Sequence, residues 1–179
     1  RGRSRNLYGI TKLLQEQRFS EFAGASGASL LIGRIFNIAG PYINKVDAYA
    51  IGSFVTQALA RGRIEIAAAV PVYRSFLHVD DLLEIVIATL AGRQPPQGAV
   101  DLCGAHVLEM QDIAEEVAAA LGLGRDAISR PAIDFSRSSA YLGDPCATRG
   151  LALSGGVRLR DFGVQVRDTT DYICAQADS

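Results

Sequence analysis

Two side chains near the start of the sequence are spaced for joint proton transfer. Tyr8 and Lys12 stand four residues apart in a segment whose apolar residues recur at helical spacing, so both lie on one face of a predicted helix. A nearby ammonium favours the phenolate form of a tyrosine, and such a phenol can exchange a proton with an alcohol or a carbonyl. The lysine also offers three donors to hydroxyl groups. Many helices carry this pair with no catalytic role, so the pair alone leaves a structural interpretation open.

Two further motifs follow, and each allows a structural as well as a functional interpretation. The first, from Arg34 to Pro41, reads RIFNIAGP, and the second, from Arg74 to Asp81, reads RSFLHVDD. A guanidinium such as that of Arg74 can hold a phosphate through its planar fork, or pair with a surface carboxylate. His78 lies between apolar residues and is predicted to be structural.

The helices and strands that must carry these motifs alternate along the chain, which indicates an α/β fold. The apolar run at 29–36 predicts a strand buried on both faces, and its parallel neighbours are expected outside this sequence. Asp80 is predicted to cap the helix that follows the second motif. Helices are predicted at 6–22, 48–61, 80–91, 110–121 and 166–177, and the other strands at 64–67, 73–78 and 99–103.

Bulk composition excludes several classes of function. The 179 residues are 49% hydrophobic and 21% charged with a net charge of −1, so the sequence has the composition of a globular domain and no footprint for nucleic acid or a membrane surface. Three widely spaced cysteines suit neither a disulfide framework nor a zinc site, which favours the cytoplasm. No metal-ligand spacing is present. The chain begins with Arg1 rather than methionine, which indicates a fragment or a processed form.

Taken together, the motifs resemble those of the extended short-chain dehydrogenase/reductases, specifically the NAD-dependent epimerase/dehydratase family of nucleotide sugars. Tyr8-Gly9-Ile10-Thr11-Lys12 is similar to the catalytic Tyr-x-x-x-Lys of that family. The first motif resembles the strand and loop beneath the nicotinamide, and the second resembles the family's Arg-x-Phe-x-His-Val-x-Asp segment. The resemblance covers nearly the whole chain but only the C-terminal half of a family member.

The resemblance implies a fold and a domain division. Residues 1–47 would be the last part of a Rossmann-like NAD(P)-binding domain with a parallel sheet, and residues 48–179 mainly a small mixed α/β substrate-binding subdomain. The Gly-rich loop of the cofactor domain is absent. The segment from Gly24 to Gly27 cannot replace it, because it follows a helix and precedes a strand, which is the reverse of the order that such a loop needs.

The resemblance also implies roles for individual residues. Tyr8 would be the acid/base and Lys12 its partner, and both would contact NAD or NADP. The other expected cofactor contacts are Phe36 and Ile38, which can equally be core residues. The expected substrate contacts are Asn37, Ile66, Arg74, Arg137 and Tyr141. Family members often carry an amide near the start of the helix after the Asn37 loop, where this sequence has Tyr49 and Ala50.

The activity implied by the resemblance is that of a nucleotide-sugar epimerase, dehydratase or reductase. It would use a nucleotide sugar as substrate and form a homodimer partly through the helix that carries Tyr8. The isolated chain is expected to be inactive. The alternative is a non-catalytic module that binds nucleotide sugars but has lost the redox chemistry.

Overall fold

The computed structural model describes residues 2–92 and 95–177, with backbone alone for residues 2–6. Within these ranges lie six α-helices and nine short strands. The helices are α1 (Gly2–Ser26), α2 (Ala50–Arg61), α3 (Val79–Ala91), α4 (Met110–Ala120), α5 (Pro145–Ser154) and α6 (Phe162–Ala177). The strands are β1 (Ile32–Ile35), β2 (Asn37–Ala39), β3 (Ile64–Glu65), β4 (Val72–Arg74), β5 (Phe76–His78), β6 (Ala99–Leu102), β7 (Leu108–Glu109), β8 (Ile128–Ser129) and β9 (Ser139–Tyr141).

Strand pairing is mostly parallel, in agreement with the predicted α/β class. The pairs β1–β6, β2–β5, β3–β8 and β4–β9 are parallel, and β4–β7 is antiparallel. Parallel strands need long crossovers, and helices supply these between most of the pairs. Among the described residues, no helix is long and apolar enough to cross a membrane.

The expectation for the neighbours of β1 needs a correction. One parallel neighbour lies within this sequence, because β6 pairs with β1 from Ile32 opposite Ala99 to Ile35 opposite Leu102. The expected burial of β1 on both faces is not found in this chain: its last three residues are exposed and line an open cleft.

Two apolar cores hold the molecule together. In the first, α2, α4 and α6 pack around buried side chains that include Phe54, Val117 and Val166. In the second, α5 packs against β6 and α3 packs against α5 and β5, around residues such as Ile85 and Leu102. No side chain of residues 7–26 in α1 belongs to either core, and the large apolar side chains of this range are exposed: Leu7, Ile10, Leu13, Leu14, Phe19 and Phe22.

The start of α3 differs from the prediction. His78 rather than Asp80 is the N-cap, because its Nδ1 accepts a hydrogen bond of 3.1 Å from the backbone N–H of Asp80. The imidazole is fully buried, and its Nε2 lies 3.2 Å from a carboxylate oxygen of Asp168. This placement agrees with the predicted structural role of His78, since the ring joins β5, α3 and α6.

Candidate functional site

An open cleft lies between α1, β1 and the end of β9, and is called here the α1 cleft. Its volume is about 520 Å³. It brings together residues that are up to 133 positions apart in the sequence. The lining residues are Tyr8, Gly9, Lys12, Leu13, Glu16, Gly33, Arg34, Ile35, Phe36 and Tyr141.

Tyr8 and Lys12 face each other in this cleft. The Lys12 Nζ lies 5.7 Å from the centroid of the Tyr8 ring. Both side chains are exposed, Tyr8 to 68%, and Lys12 has no carboxylate partner among the described residues. The ammonium therefore lies over the face of the Tyr8 ring and can donate to a hydroxyl group brought into the cleft.

Aromatic rings form the opposite side of the α1 cleft. The centroids of Phe36 and Tyr141 are 4.9 Å apart. Arg74 is the parallel-strand neighbour of Tyr141 on β4 and is half-buried. Its Nη1 donates to the carbonyl of Tyr73 at 2.7 Å, and no carboxylate pairs with it among residues 2–92 and 95–177. The structure therefore does not support the alternative that Arg74 pairs with a surface carboxylate in these ranges, and the guanidinium retains donors for a phosphate.

The other residues expected in the site are less uniformly placed. Asn37 is half-buried on β2, where its Nδ2 donates to the carbonyl of Ser75 at 3.1 Å. Ile38 packs against the second core and does not line the α1 cleft. Arg137 is exposed, with its Nε 3.4 Å from a carboxylate oxygen of Asp134.

Sequence reasoning missed an ion pair that joins α1 to β1. Arg34 donates to Glu16 through Nε at 2.9 Å and through Nη2 at 2.8 Å. The hydrogen bond from Arg34 is the main cause that lowers the pKa of Glu16, and the same bond raises the pKa of Arg34. The spacing of the sequence does contain a signal for the position of Glu16. Tyr8, Lys12 and Glu16 recur every four residues, which places all three on one helix face.

A second open cleft of about 300 Å³, called the α2 cleft, lies at the start of α2. Ile66 belongs to it, but its side chain is buried in the first core and its N–H donates to the carbonyl of Ser129. The lining has aromatic, apolar, amide and acidic side chains and no lysine or arginine, so it suits an uncharged planar group better than a phosphate. The lining residues are Asp47, Ala48, Tyr49, Ala50, Ser53, Phe54, Gln57, Glu65, Ile66, Ala67, Ala68 and Met110.

A half-buried ion pair, also missed by sequence reasoning, lies behind the α2 cleft. Arg130 donates to Glu109 through Nη1 at 2.7 Å and Nη2 at 2.9 Å. Burial would raise the pKa of Glu109, but hydrogen bonds from Arg130 and from the N–H groups of Val72 and Gln111 outweigh it and bring that pKa to about 2. The pair is therefore charged at any physiological pH.

The chain's own residues fit one end of a dinucleotide cofactor. Lys12 has no carboxylate partner among the residues that the structure describes and can donate to ribose hydroxyls, and Phe36 presents an aromatic ring in the same open cleft. Gly9 leaves the helix surface beside Tyr8 unobstructed, since no atom lies within 4 Å of where its Cβ would be. The sequence has no strand, Gly-rich loop and helix in the order that holds the pyrophosphate.

The parallel strand pairs with helical crossovers define the class as a Rossmann-like α/β protein. Residues 2–103 match the model of the NAD dependent epimerase/dehydratase family. The chain belongs to this family, which confirms the resemblance read from the motifs.

The relatives that this chain resembles agree with that assignment. The dTDP-L-rhamnose 4-epimerase of Burkholderia thailandensis is 27% identical over 156 residues, covering 79% of this chain and 42% of that protein. Among solved structures, RMD from Pseudomonas aeruginosa complexed with NADPH has a TM-score of 0.73 at 20% identity, covering 94% of this chain and 56% of the other. UDP-glucuronic acid 4-epimerase from Bacillus cereus in complex with NAD has a TM-score of 0.71 at 18% identity, covering 94% of this chain and 52% of the other.

These matches bear on the cofactor and on the extent of the chain. The family is NAD-dependent, and the two solved relatives hold NADPH and NAD, so the expectation of NAD or NADP is confirmed at the level of the family. The chain spans about half the length of the relatives that it matches.

Proposed function

We propose that this chain is the part of an NAD(P)-dependent nucleotide-sugar epimerase, dehydratase or reductase that carries the proton-transfer group and the substrate clefts. The observation that supports this most is the position of Tyr8 and Lys12, which face each other in an open cleft whose far side holds Phe36 and Tyr141. Such an enzyme would be an isomerase, a lyase or an oxidoreductase according to the fate of the oxidised sugar.

The proposed mechanism assigns the proton step to Tyr8. When bound, the nicotinamide cofactor supplies hydride transfer. The Tyr8 oxygen takes a proton from a sugar hydroxyl, or returns one to a sugar carbonyl, while the Lys12 ammonium stabilises the phenolate and donates to hydroxyl groups of a ribose. The rings of Phe36 and Tyr141 exclude water from the side of the cleft opposite the phenol.

The proposed substrate position rests on Arg74, which lines neither cleft but neighbours Tyr141 of the α1 cleft, and on the lining of the α2 cleft. Arg74 has a guanidinium without a carboxylate partner among the described residues, and it is our proposed diphosphate ligand. The α2 cleft is our proposed site for the nucleobase, because it combines apolar surface with an amide and has no basic residue. Asn37 would contact the sugar, and Ile66 would act through the backbone that it places beside the cleft.

The test of this proposal is the substitution Tyr8→Phe in the complete protein that contains this chain. We expect turnover of nucleotide sugars to fall by roughly 10²- to 10⁴-fold, which is the usual contribution of a positioned acid or base. Binding of NAD and of nucleoside diphosphates should persist, since the ring is retained. Tyr42→Phe is the matched control, because Tyr42 is exposed and lines neither cleft. Full turnover in Tyr8→Phe would contradict the catalytic assignment.

The second candidate function is a binding module without redox chemistry. One observation favours it: the α2 cleft is built on the first core, whereas Tyr8 and Lys12 stand on a helix that joins neither core. A module of this kind binds nucleoside diphosphates with the same affinity in wild-type and Tyr8→Phe protein and shows no turnover in either. Turnover by the complete wild-type protein excludes it.

Two further parts of the proposal concern assembly and location. We propose a homodimer that uses α1, whose exposed leucines and phenylalanines offer apolar surface for a partner. Sedimentation of the complete protein as a monomer at micromolar concentration would contradict the dimer. The cytoplasmic location stays a prediction from the cysteine content.

A further inference from the structure

One wall of the α2 cleft belongs to an irregular loop, residues 67–71, which joins β3 to β4 and has no regular secondary structure of its own. The backbone carbonyls of this loop accept hydrogen bonds from the segment 130–139. Arg130 donates to Ala68 through Nε at 3.1 Å and to Val70 through Nη2 at 3.0 Å. The N–H groups of residues 134 and 139 donate to the carbonyls of residues 69 and 71 at 2.8 and 2.9 Å. Four successive carbonyls of this loop therefore have partners in the segment 130–139.

The other wall is connected to the same guanidinium. Met110 also lines the α2 cleft, and the residue before it is Glu109, the N-cap of α4. The Glu109 carboxylate accepts from Arg130 through both oxygens and also from the N–H of Val72 at 2.9 Å, where the loop ends. A single ion pair thus holds the loop, the start of β4 and the start of α4 in one arrangement.

All three guanidinium nitrogens of Arg130 donate within the protein, so we do not propose Arg130 itself as a ligand group. Its side chain is 8% exposed, and its three guanidinium nitrogens donate to two carbonyls and to one carboxylate. A buried ion pair adds little net stability compared with apolar side chains of the same volume. What the planar fork does supply is direction, because it fixes the positions of the acceptors around it.

We infer that the Arg130–Glu109 pair is the positioning element of the α2 cleft: it sets the distance between the loop 67–71 and the Met110 wall to the thickness of the planar group that binds there. This inference rests on the proposed function for the identity of that group, the base of a nucleoside diphosphate. The geometry of the cleft itself does not depend on that identity.

The test is Arg130→Lys, which retains the charge and loses the fork. The matched control is Arg125→Lys, because Arg125 pairs with Glu115 of α4 at 2.6 Å but is exposed and touches no residue of the loop. Two measurements are made on the full chain: calorimetric titration with UDP, dTDP and GDP, and hydrogen exchange of the peptide that covers residues 64–74. We expect Arg130→Lys to weaken binding of the preferred nucleotide by roughly tenfold or more, as misplaced binding groups do.

The exchange measurement separates positioning from general stability. We expect exchange in residues 64–74 to accelerate in Arg130→Lys, with the α2 and α6 peptides unchanged, and no change in Arg125→Lys. Unaltered exchange in the loop would overturn the inference, and so would an equal acceleration in every peptide, which indicates a merely structural pair. Selective acceleration with unaltered nucleotide affinity would overturn its link to the cleft.

The outcome for the proposed function is separate. If the wild-type chain binds none of the three nucleotides, the nucleobase assignment of the α2 cleft fails. The exchange data would still decide whether Arg130 positions the loop, since that measurement needs no ligand.

Discussion

Arg34 and Glu16 form a two-pronged ion pair, with Nε and Nη2 of the arginine 2.9 and 2.8 Å from the two carboxylate oxygens. The pair links β1 to the helix that carries the proposed catalytic tyrosine. Glu16 lies two helical turns after Tyr8, so the pair favours one rotation of α1 about its axis. We therefore expect the ion pair to affect the proposed chemistry without touching a substrate.

Arg34→Ala is expected to loosen α1 without unfolding the domain. The pair is partly exposed and contributes about 1 kcal/mol or less to stability. Hydrogen exchange in α1 should therefore accelerate several-fold, while the urea midpoint of the cores stays unchanged. Arg18→Ala is the control, because Arg18 pairs with Glu21 within α1. Equal exchange in wild-type and Arg34→Ala protein would show that the pair does not hold the helix.

Arg74→Ala is expected to weaken nucleoside diphosphate binding at least tenfold and nucleoside binding little, because the guanidinium is assigned to the phosphates. Titration with UDP and with uridine, or with the matching pair for the preferred base, measures the difference. Arg137→Ala is the informative comparison. Arg137 is exposed and paired with Asp134, so a similar loss there would move the phosphate site to the loop before β9.

Glu109→Gln is expected to change the pH dependence of stability. The folded pKa of Glu109 is about 2, against an ordinary value of 4.5, so its contribution is fully present above pH 4.5 and is lost as the pH falls to 2. The shift corresponds to about 3 kcal/mol. Urea unfolding at several pH values should show the variant less stable than wild type at pH 7, with the difference narrowing toward pH 2. A constant difference would contradict the shifted pKa.

Alanine substitutions at two glycines are expected to change the free energy of unfolding in opposite directions. At Gly104 a Cβ would overlap the backbone of Phe76, and we expect Gly104→Ala to cost about 2 kcal/mol or more. Gly150 lies inside α5 with no atom within 4 Å of its Cβ position, so Gly150→Ala should stabilise by about 0.5–1 kcal/mol. Urea denaturation of both variants measures the difference, and equal midpoints would show that the close approach at Gly104 relaxes freely.

The helices were largely predictable because their signals are local. The α2 helix ends at Gly62, which adopts the left-handed conformation with φ 63°, as the sequence indicates. The exception is α5, whose apolar pattern is weak. Its start was nevertheless marked, since Asp144 caps the helix and Pro145 occupies the first turn.

The strands and their pairing were less accessible. β3 lies within the strand predicted at 64–67, but β8 has only two residues, too few for alternation to be recognised. The partner of β1 is 67 residues away in sequence, and periodicity carries no information about which strands pair. The sequence predicts one continuous strand at 73–78. The structure has two strands there, β4 and β5, which are separated by Ser75 and pair with different strands.

The α1 cleft was better anticipated than the α2 cleft. Tyr8, Lys12, Phe36 and Tyr141 were all named from motifs, and the structure brings them together. The role of Arg130 could not be predicted, because two of its acceptors are backbone carbonyls, which every residue type has and whose positions therefore cannot be inferred from residue type.

The separation of α1 from both cores has a consequence for any assay. Among the described residues the Arg34–Glu16 ion pair links α1 to β1, and a surface that covered the exposed side chains of Leu14 and Phe22 would also help to set the tilt of the helix. The position of the Tyr8 phenol relative to the sugar would then depend on that covering surface as much as on the cleft. Rates measured with α1 uncovered would then be lowered by imprecise positioning of Tyr8, the proposed proton donor, whereas nucleotide affinity at the α2 cleft, the proposed nucleobase site, would be the same in either case.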